Sequence, residues 1–215
     1  MKISILCSDA EHPVNAYVEE WVALHAEAHS IELARKKCDL TGGDILFLIS
    51  CAELVTMKDR AAYAASLVLH ASDLPRGRGW SPHIWEIAAG AESIVLSLVE
   101  AEDRVDSGRI WRKLQIPIPR HALWDEINHL LFTAEVQLMD FALASFGAVA
   151  PAEQSTEVEP TYFRRRTPED SRIDPNKSIA EQFNLIRVCD PNRYPAVFEH
   201  LGQRYALKVE KLNDE

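Results

Sequence analysis

Two polar side chains carry the strongest chemical signal in this chain, His70 and Asp106. His70 follows the apolar run Ala65-Ser-Leu-Val-Leu69, which predicts a buried strand with the histidine at its exit. Asp106 lies in the polar loop 101–108, after a second apolar run, Ser93–Glu100. Strand exits in one sheet lie side by side, so a histidine and an aspartate there can meet and set each other's protonation. Alone, a histidine is more often a structural hydrogen-bonding group, and an aspartate before Ser107-Gly108 an ordinary turn residue. The pairing is what points to proton-transfer chemistry.

The residues that follow His70 suit a ligand site. Gly77 and Gly79 give a turn where backbone can approach a ligand closely. A helix is predicted next, with Ser81 as N-cap, Pro82 in its first turn and Gly90 closing it. Open α/β sheets bind ligands at such strand exits. Trp80 and Trp85 either floor a pocket or pack in the core. Arg164, Arg165 and Arg166 form a basic turn whose guanidinium groups are suited to clamp phosphate. His25 and His29 have the spacing of two metal ligands on one helix face, but no third ligand accompanies them and no metal is expected.

The predicted elements alternate. Ile3–Cys7 reads as a central strand, 14–29 as an amphipathic helix, Ser30–Ala34 as a short strand and Asp44–Ser50 as a buried parallel strand. A short helix or turn at 57–64 precedes the strand ending at His70, and 121–146 is the longest helical pattern. This predicts an α/β fold: a Rossmann-like, mixed, mainly parallel sheet flanked by helices over 1–148. Residues 149–160 have linker composition. A small C-terminal α+β subdomain, 161–215, is predicted with a helix opened by the Ser178-x-x-Glu181 capping box and a terminal hairpin turning near Gly202.

Composition narrows the function class. A formal charge of −10 in 215 residues argues against a nucleic-acid partner, whose affinity comes largely from phosphate neutralisation. No apolar run approaches a membrane span, and the apolar part of the N-terminus is too short for a signal peptide, so a cytoplasmic location without membrane contact is expected. Cysteines 7, 38, 51 and 189 are isolated and indicate neither a disulfide framework nor a zinc site. The long helix and the terminal hairpin are candidate surfaces for a homodimer.

The stretch 70–110 resembles the formyltransferase family that uses N10-formyltetrahydrofolate. The matching residues are His70, Ser72, Leu74-Pro75, Arg78-Gly79, Pro82, Trp85, Gly90 and Asp106-Ser-Gly108-Arg-Ile110. The Pro-x-x-Trp element is closer to the branches acting on amino sugars or initiator methionyl-tRNA. After the linker, Arg164–Asp170, Arg172-Ile-Asp174, Asn184-Leu-Ile-Arg187 and Tyr194–Phe198 look like the same region of sugar N-formyltransferases. The resemblance implies transfer of a formyl group from N10-formyltetrahydrofolate to the primary amine of a nucleotide-linked amino sugar. His70 and Asp106 would be catalytic. Arg78, Gly79, Trp80, Ile84, Val99, Glu100, Asp103 and Val105 would line the folate. Ser72, Arg164, Arg165, Arg166, Asn184 and Arg187 would contact the acceptor.

Two departures are visible. The family's Asn two residues before the histidine is Val68, and Asp73 stands where leucine is usual. A valine cannot donate a hydrogen bond to the formyl oxygen, and one lost oxyanion donor can cost ~3 kcal/mol. The alternatives are therefore formylation of another small amine, or a non-catalytic protein binding folate or a nucleotide sugar.

Overall fold

The structure is a computed structural model that describes residues 1–212. Strands β1 (Lys2–Leu6), β2 (Ser30–Ala34), β3 (Gly43–Leu48) and β4 (Tyr63–His70) run parallel, joined by α1 (Asn15–His25) and the single turn α2 (Met57–Arg60). A two-residue strand β5 (Arg78–Gly79) and helix α3 (Pro82–Ala88) lead to β6 (Ser93–Glu100) and β7 (Ile110–Pro117), both antiparallel to their neighbours. The six-stranded sheet has the order β2-β1-β3-β4-β6-β7. It is the mixed, mainly parallel sheet that the alternating pattern predicts.

Helix α4 (Trp124–Ser145) covers one face with α1. Ile5, Phe47, Leu67 and Leu96 from the sheet meet Val18 and Trp21 of α1 and Ile127, Leu131 and Leu138 of α4. Burying each large side chain contributes about 1.5–3 kcal/mol. The apolar stripe of α4 is therefore engaged within the chain. A second cluster, Leu6, Leu46, Leu48, Val55 and Tyr63, lies apart from this core, and Val68 packs against it.

Residues 149–160 are not free of the sheet: Ala152 exchanges two backbone hydrogen bonds with Ile110 (2.7 and 2.9 Å). Beyond them come β8 (Tyr162–Phe163), α5 (Ile179–Ile186), capped as expected by Ser178 and Glu181, and the hairpin β9 (Ala196–His200)–β10 (Gln203–Leu207). β8 pairs with β5, so the C-terminal segment holds the turn after His70. Residues 213–215 of the predicted C-terminal subdomain lie outside the described residues. Among the described residues no helix is long and apolar enough to cross a membrane.

Candidate active site

His70 ends β4 as its last residue, next to the exits of β3 and β1 in the sheet order. Strand alternation puts Val68 and His70 on one face, and Leu67 and Leu69 on the core face. The expectation that Asp106 meets His70 through side-by-side strand exits needs correcting. β6 is antiparallel, and its last residue Glu100 pairs with Leu67, at the far side of Val68 from His70. The loop 101–109 instead doubles back. Gly108 makes this possible: a Cβ there would stand 2.0 Å from the Glu100 carbonyl oxygen. Asp106 takes a left-handed conformation, φ 56°, which aspartate tolerates better than most residues.

The outcome is a dry His–Asp pair. His70 Nδ1 lies 3.5 Å from Asp106 Oδ1, both side chains being more than nine-tenths buried. His70 Nε2 lies 2.9 Å from the Gly77 carbonyl, which can only accept, so this nitrogen carries a hydrogen. Asp106 Oδ2 accepts from the Gly79 N–H at 2.9 Å. Gly79 has φ 99°, and a Cβ would sit 2.3 Å from the Phe163 carbonyl oxygen. Its missing side chain thus serves the pairing of β5 with β8, which aims its N–H at the aspartate.

Supporting groups come from the segment with linker composition. The Gln154 amide donates to the Asp106 and Gly108 carbonyls (2.8 and 2.9 Å) and accepts from Arg78 (2.5 Å). Thr161 Oγ1 accepts from Gly77 N at 2.9 Å. Neither Gln154 nor Thr161 carries a sequence signal, since their partners lie far away in the chain and are mostly backbone groups. Ser72 turns inward, its hydroxyl donating to the Arg76 carbonyl.

Two further histidines border this end of the sheet. His12, in the β1 exit loop, accepts from Val14 N (3.2 Å) and faces Ser50 Oγ of the β3 exit (3.3 Å). Burial and the Arg193 guanidinium push its pKa down to about 4. His83, in the first turn of α3, is pushed down to about 3 by burial, with the charges of His70, His12 and Arg166 adding to the effect. Sequence reasoning passed over both, although His12 could have been found by the strand-exit rule that singled out His70. Ser50, Ser81 and Asp106 also account for three of the four positive-φ non-glycine residues among those described. Strain of this kind clusters at functional sites.

The other predicted contacts divide. Trp80 is 41% exposed, with the Arg165 guanidinium 5.0 Å above its ring. Trp85 stacks on Phe163 and donates to the Arg164 carbonyl, so it packs the C-terminal segment against α3. Ser81 occupies the N-cap position without a side-chain cap bond. Arg164 forms a paired contact with Asp170, holding that carboxyl well below the usual range. Arg166 donates to Asp170 O and Ser171 Oγ.

Arg187 does not meet the expectation of an acceptor contact: it is 1% exposed and donates to Asn184 and to the Pro119 and Ala122 carbonyls. Arg78 is likewise buried, on Gln154 and Tyr162. Among the folate-side residues, Val99 and Ile84 pack into or against the cores, and Glu100 accepts from Arg109 and Trp111. Asp103 accepts from Arg60 and Met57 N, and Val105 is exposed. His25 pairs with Asp140, and His29 with the N-terminal amine. Among the described residues no cluster suited to a metal occurs.

No family model matches the chain. Its fold is shared with methionyl-tRNA formyltransferase from Clostridium thermocellum at a TM-score of 0.82 and 20% identity, over 99% of this chain and 94% of that one. The fold is that of formyltransferases. A sugar N-formyltransferase from Shewanella sp. superposes at 0.71 and 13% identity, over 100% and 99%. HypX from Aquifex aeolicus in complex with tetrahydrofolic acid superposes at 0.75 and 18%, over 95% of this chain but 36% of that longer one. In this formyltransferase fold the motif block from His70 to Gly90 occupies the end of β4, its following turn and α3.

Proposed function

We propose that this protein transfers a formyl group from N10-formyltetrahydrofolate to the primary amine of a nucleotide-linked amino sugar. The observation that carries the reading is the buried His70–Asp106 pair, brought together by a doubled-back loop within a formyltransferase fold. Support for a folate donor and a sugar acceptor comes from the tetrahydrofolate complex of HypX and from the sugar N-formyltransferase.

The chemistry follows from the pair's partners. With Nε2–H fixed by Gly77 and Nδ1 against a carboxylate, His70 is suited to carry positive charge. That charge stabilises the negative charge developing on the formyl oxygen, most strongly in a site that excludes water. Asp106, anchored by Gly79 N–H, orients the ring and helps take the proton that the attacking amine sheds. Arg165 and Trp80 offer a partly exposed cation and ring for the acceptor's anionic and planar parts. Residues 1–148 would carry the catalytic pair, with the clasp at 161–163 holding its turn.

The test is tetrahydrofolate release from N10-formyltetrahydrofolate with a panel of UDP-, dTDP-, GDP- and CMP-linked amino sugars. Amine-dependent release that disappears in His70→Ala is the expected result. Val68 favours a second reading, folate binding without turnover. Intact binding with no release across the panel, or with other small amines, would select it.

A further inference from the structure

Asp106 and its anchor Gly79 belong to segments that meet only in the fold, the loop 101–109 and the turn after His70. One oxygen atom joins the same two segments a second time. Arg104, two residues before Asp106, donates through Nη2 to the Tyr162 hydroxyl at 2.7 Å. Arg78, the residue before Gly79, donates through Nη1 to that hydroxyl at 3.2 Å. The two lone pairs of the phenol oxygen are matched by these two guanidiniums.

The path from this oxygen to Asp106 is short. Ser107 Oγ donates to the Arg104 carbonyl at 2.7 Å, closing a turn with Asp106 inside it. A non-glycine residue at φ 56° persists only where its surroundings hold it. Gln154 fastens the carbonyls of Asp106 and Gly108, and the bond to Tyr162 fastens the loop ahead of them.

Tyr162 is 58% exposed, so burial of its ring is not what it supplies. Its hydroxyl is the engaged part. Arg78 is 5% exposed, and its acceptors are the neutral Gln154 amide and this phenol. Removing an acceptor from a buried cation is costly, which keeps Arg78 and Tyr162 together. The hydrogen bonds from Arg78 and Arg104 in turn hold the phenol below its usual range.

We propose that the Tyr162 hydroxyl is a positioning group for the His70–Asp106 pair, joining Arg104 to Arg78 and so fixing the Asp106 loop against the turn that anchors it. Its effect on turnover rests on the formyl-transfer reading. A displacement of about 1 Å set up away from the chemistry can cost about 10²-fold in rate.

The test uses Tyr162→Phe, Arg104→Gln and the double variant. Tyr162→Phe removes only the oxygen and keeps the ring, whose centroid lies 5.9 Å from the Arg78 guanidinium carbon. The first readout needs no substrate: the ring 15N signals of His70 in unliganded protein, well below the melting temperature. The second is kcat and KM for tetrahydrofolate release. Tyr162→Phe is expected to move the His70 signals and to lower kcat about 10–100-fold with KM unchanged. Arg104→Gln should act in the same direction alone and add nothing once the hydroxyl is gone.

Where Tyr162→Phe does not fold, Arg104→Gln, at an exposed position, reads the same contact. Unmoved His70 signals in the folded variant, or additive effects in the double variant, would overturn the proposal. Signals that move in a protein whose wild type releases no tetrahydrofolate would overturn the formyl-transfer reading and leave the positioning role standing.

Discussion

Asp106 and Glu135 are both carboxyls shielded from water, 8% and 6% exposed, yet the chain treats them in opposite ways. Asp106 sits on a doubled-back loop with each oxygen facing a partner, His70 and Gly79. Glu135 sits on the sheet-facing side of α4, and its Oε2 is buried without a partner. Burial alone pushes its pKa up to about 8, so it remains protonated across the neutral range. The contrast shows that burial does not by itself make a carboxyl functional. A site supplies partners that fix its orientation; a core carboxyl without them gives up its charge.

Several substitutions would break or sharpen this contrast. The largest effect on the rate is expected from Asp106→Asn, which keeps the shape but puts an uncharged amide opposite His70. Its rate of tetrahydrofolate release should fall about 10³-fold, roughly 4 kcal/mol of transition-state stabilisation. A fall below tenfold would remove Asp106 from the chemistry.

Glu135→Gln should act on stability instead. The unfolded carboxyl ionises above about 4.5, whereas the folded one holds its proton to about 8. Between those values the native state binds more protons, so wild-type stability falls as pH rises. The loss across the window is at most about 4–5 kcal/mol, taking ~1.4 kcal/mol per pH unit. Urea unfolding at pH 5 and pH 8 should show this slope in the wild type and a flatter one in the glutamine variant. Equal slopes would mean that Glu135 is ionised in the native state.

Gly79→Ala comes next. Its Cβ collides with the Phe163 carbonyl at a φ that alanine disfavours, so a loss of about 2–3 kcal/mol is expected. Because Gly79 N–H anchors Asp106, the rate should fall along with the melting temperature. A stability loss with full activity would uncouple the two. Arg165→Ala should produce the smallest change, within about 0.5 kcal/mol in stability, since its side chain rests over Trp80 at the surface. Any effect should be on KM for the acceptor.

His70 was legible because a run of apolar residues ending in a histidine can be read locally, and the same holds for the β1 and β3 cores and the Ser178 cap. Asp106 was legible as a residue, but the reason for its placement was not. Parallel and antiparallel strands carry the same apolar runs here, and only the ladder reveals that β6 reverses. Arg187 shows a second limit. In sequence it is a cation near a motif, and nothing local tells that it is enclosed by the Pro119 and Ala122 carbonyls. Gln154 was hidden because two of its three partners are backbone carbonyls of residues 106 and 108, which have no residue type to recognise, and the third, Arg78, is distant in the chain.

The pairing of β5 with β8 has a consequence for how the molecule is made. The turn that holds both His70 and Asp106 is secured by Thr161, Tyr162 and Phe163. During synthesis from the N-terminus, all six strands of the main sheet are complete by Pro117. A nascent chain halted before Thr161 would therefore contain His70, Asp106 and their whole scaffold and still lack the clasp that sets their geometry. The geometry of the pair is set late, by residues 161–163.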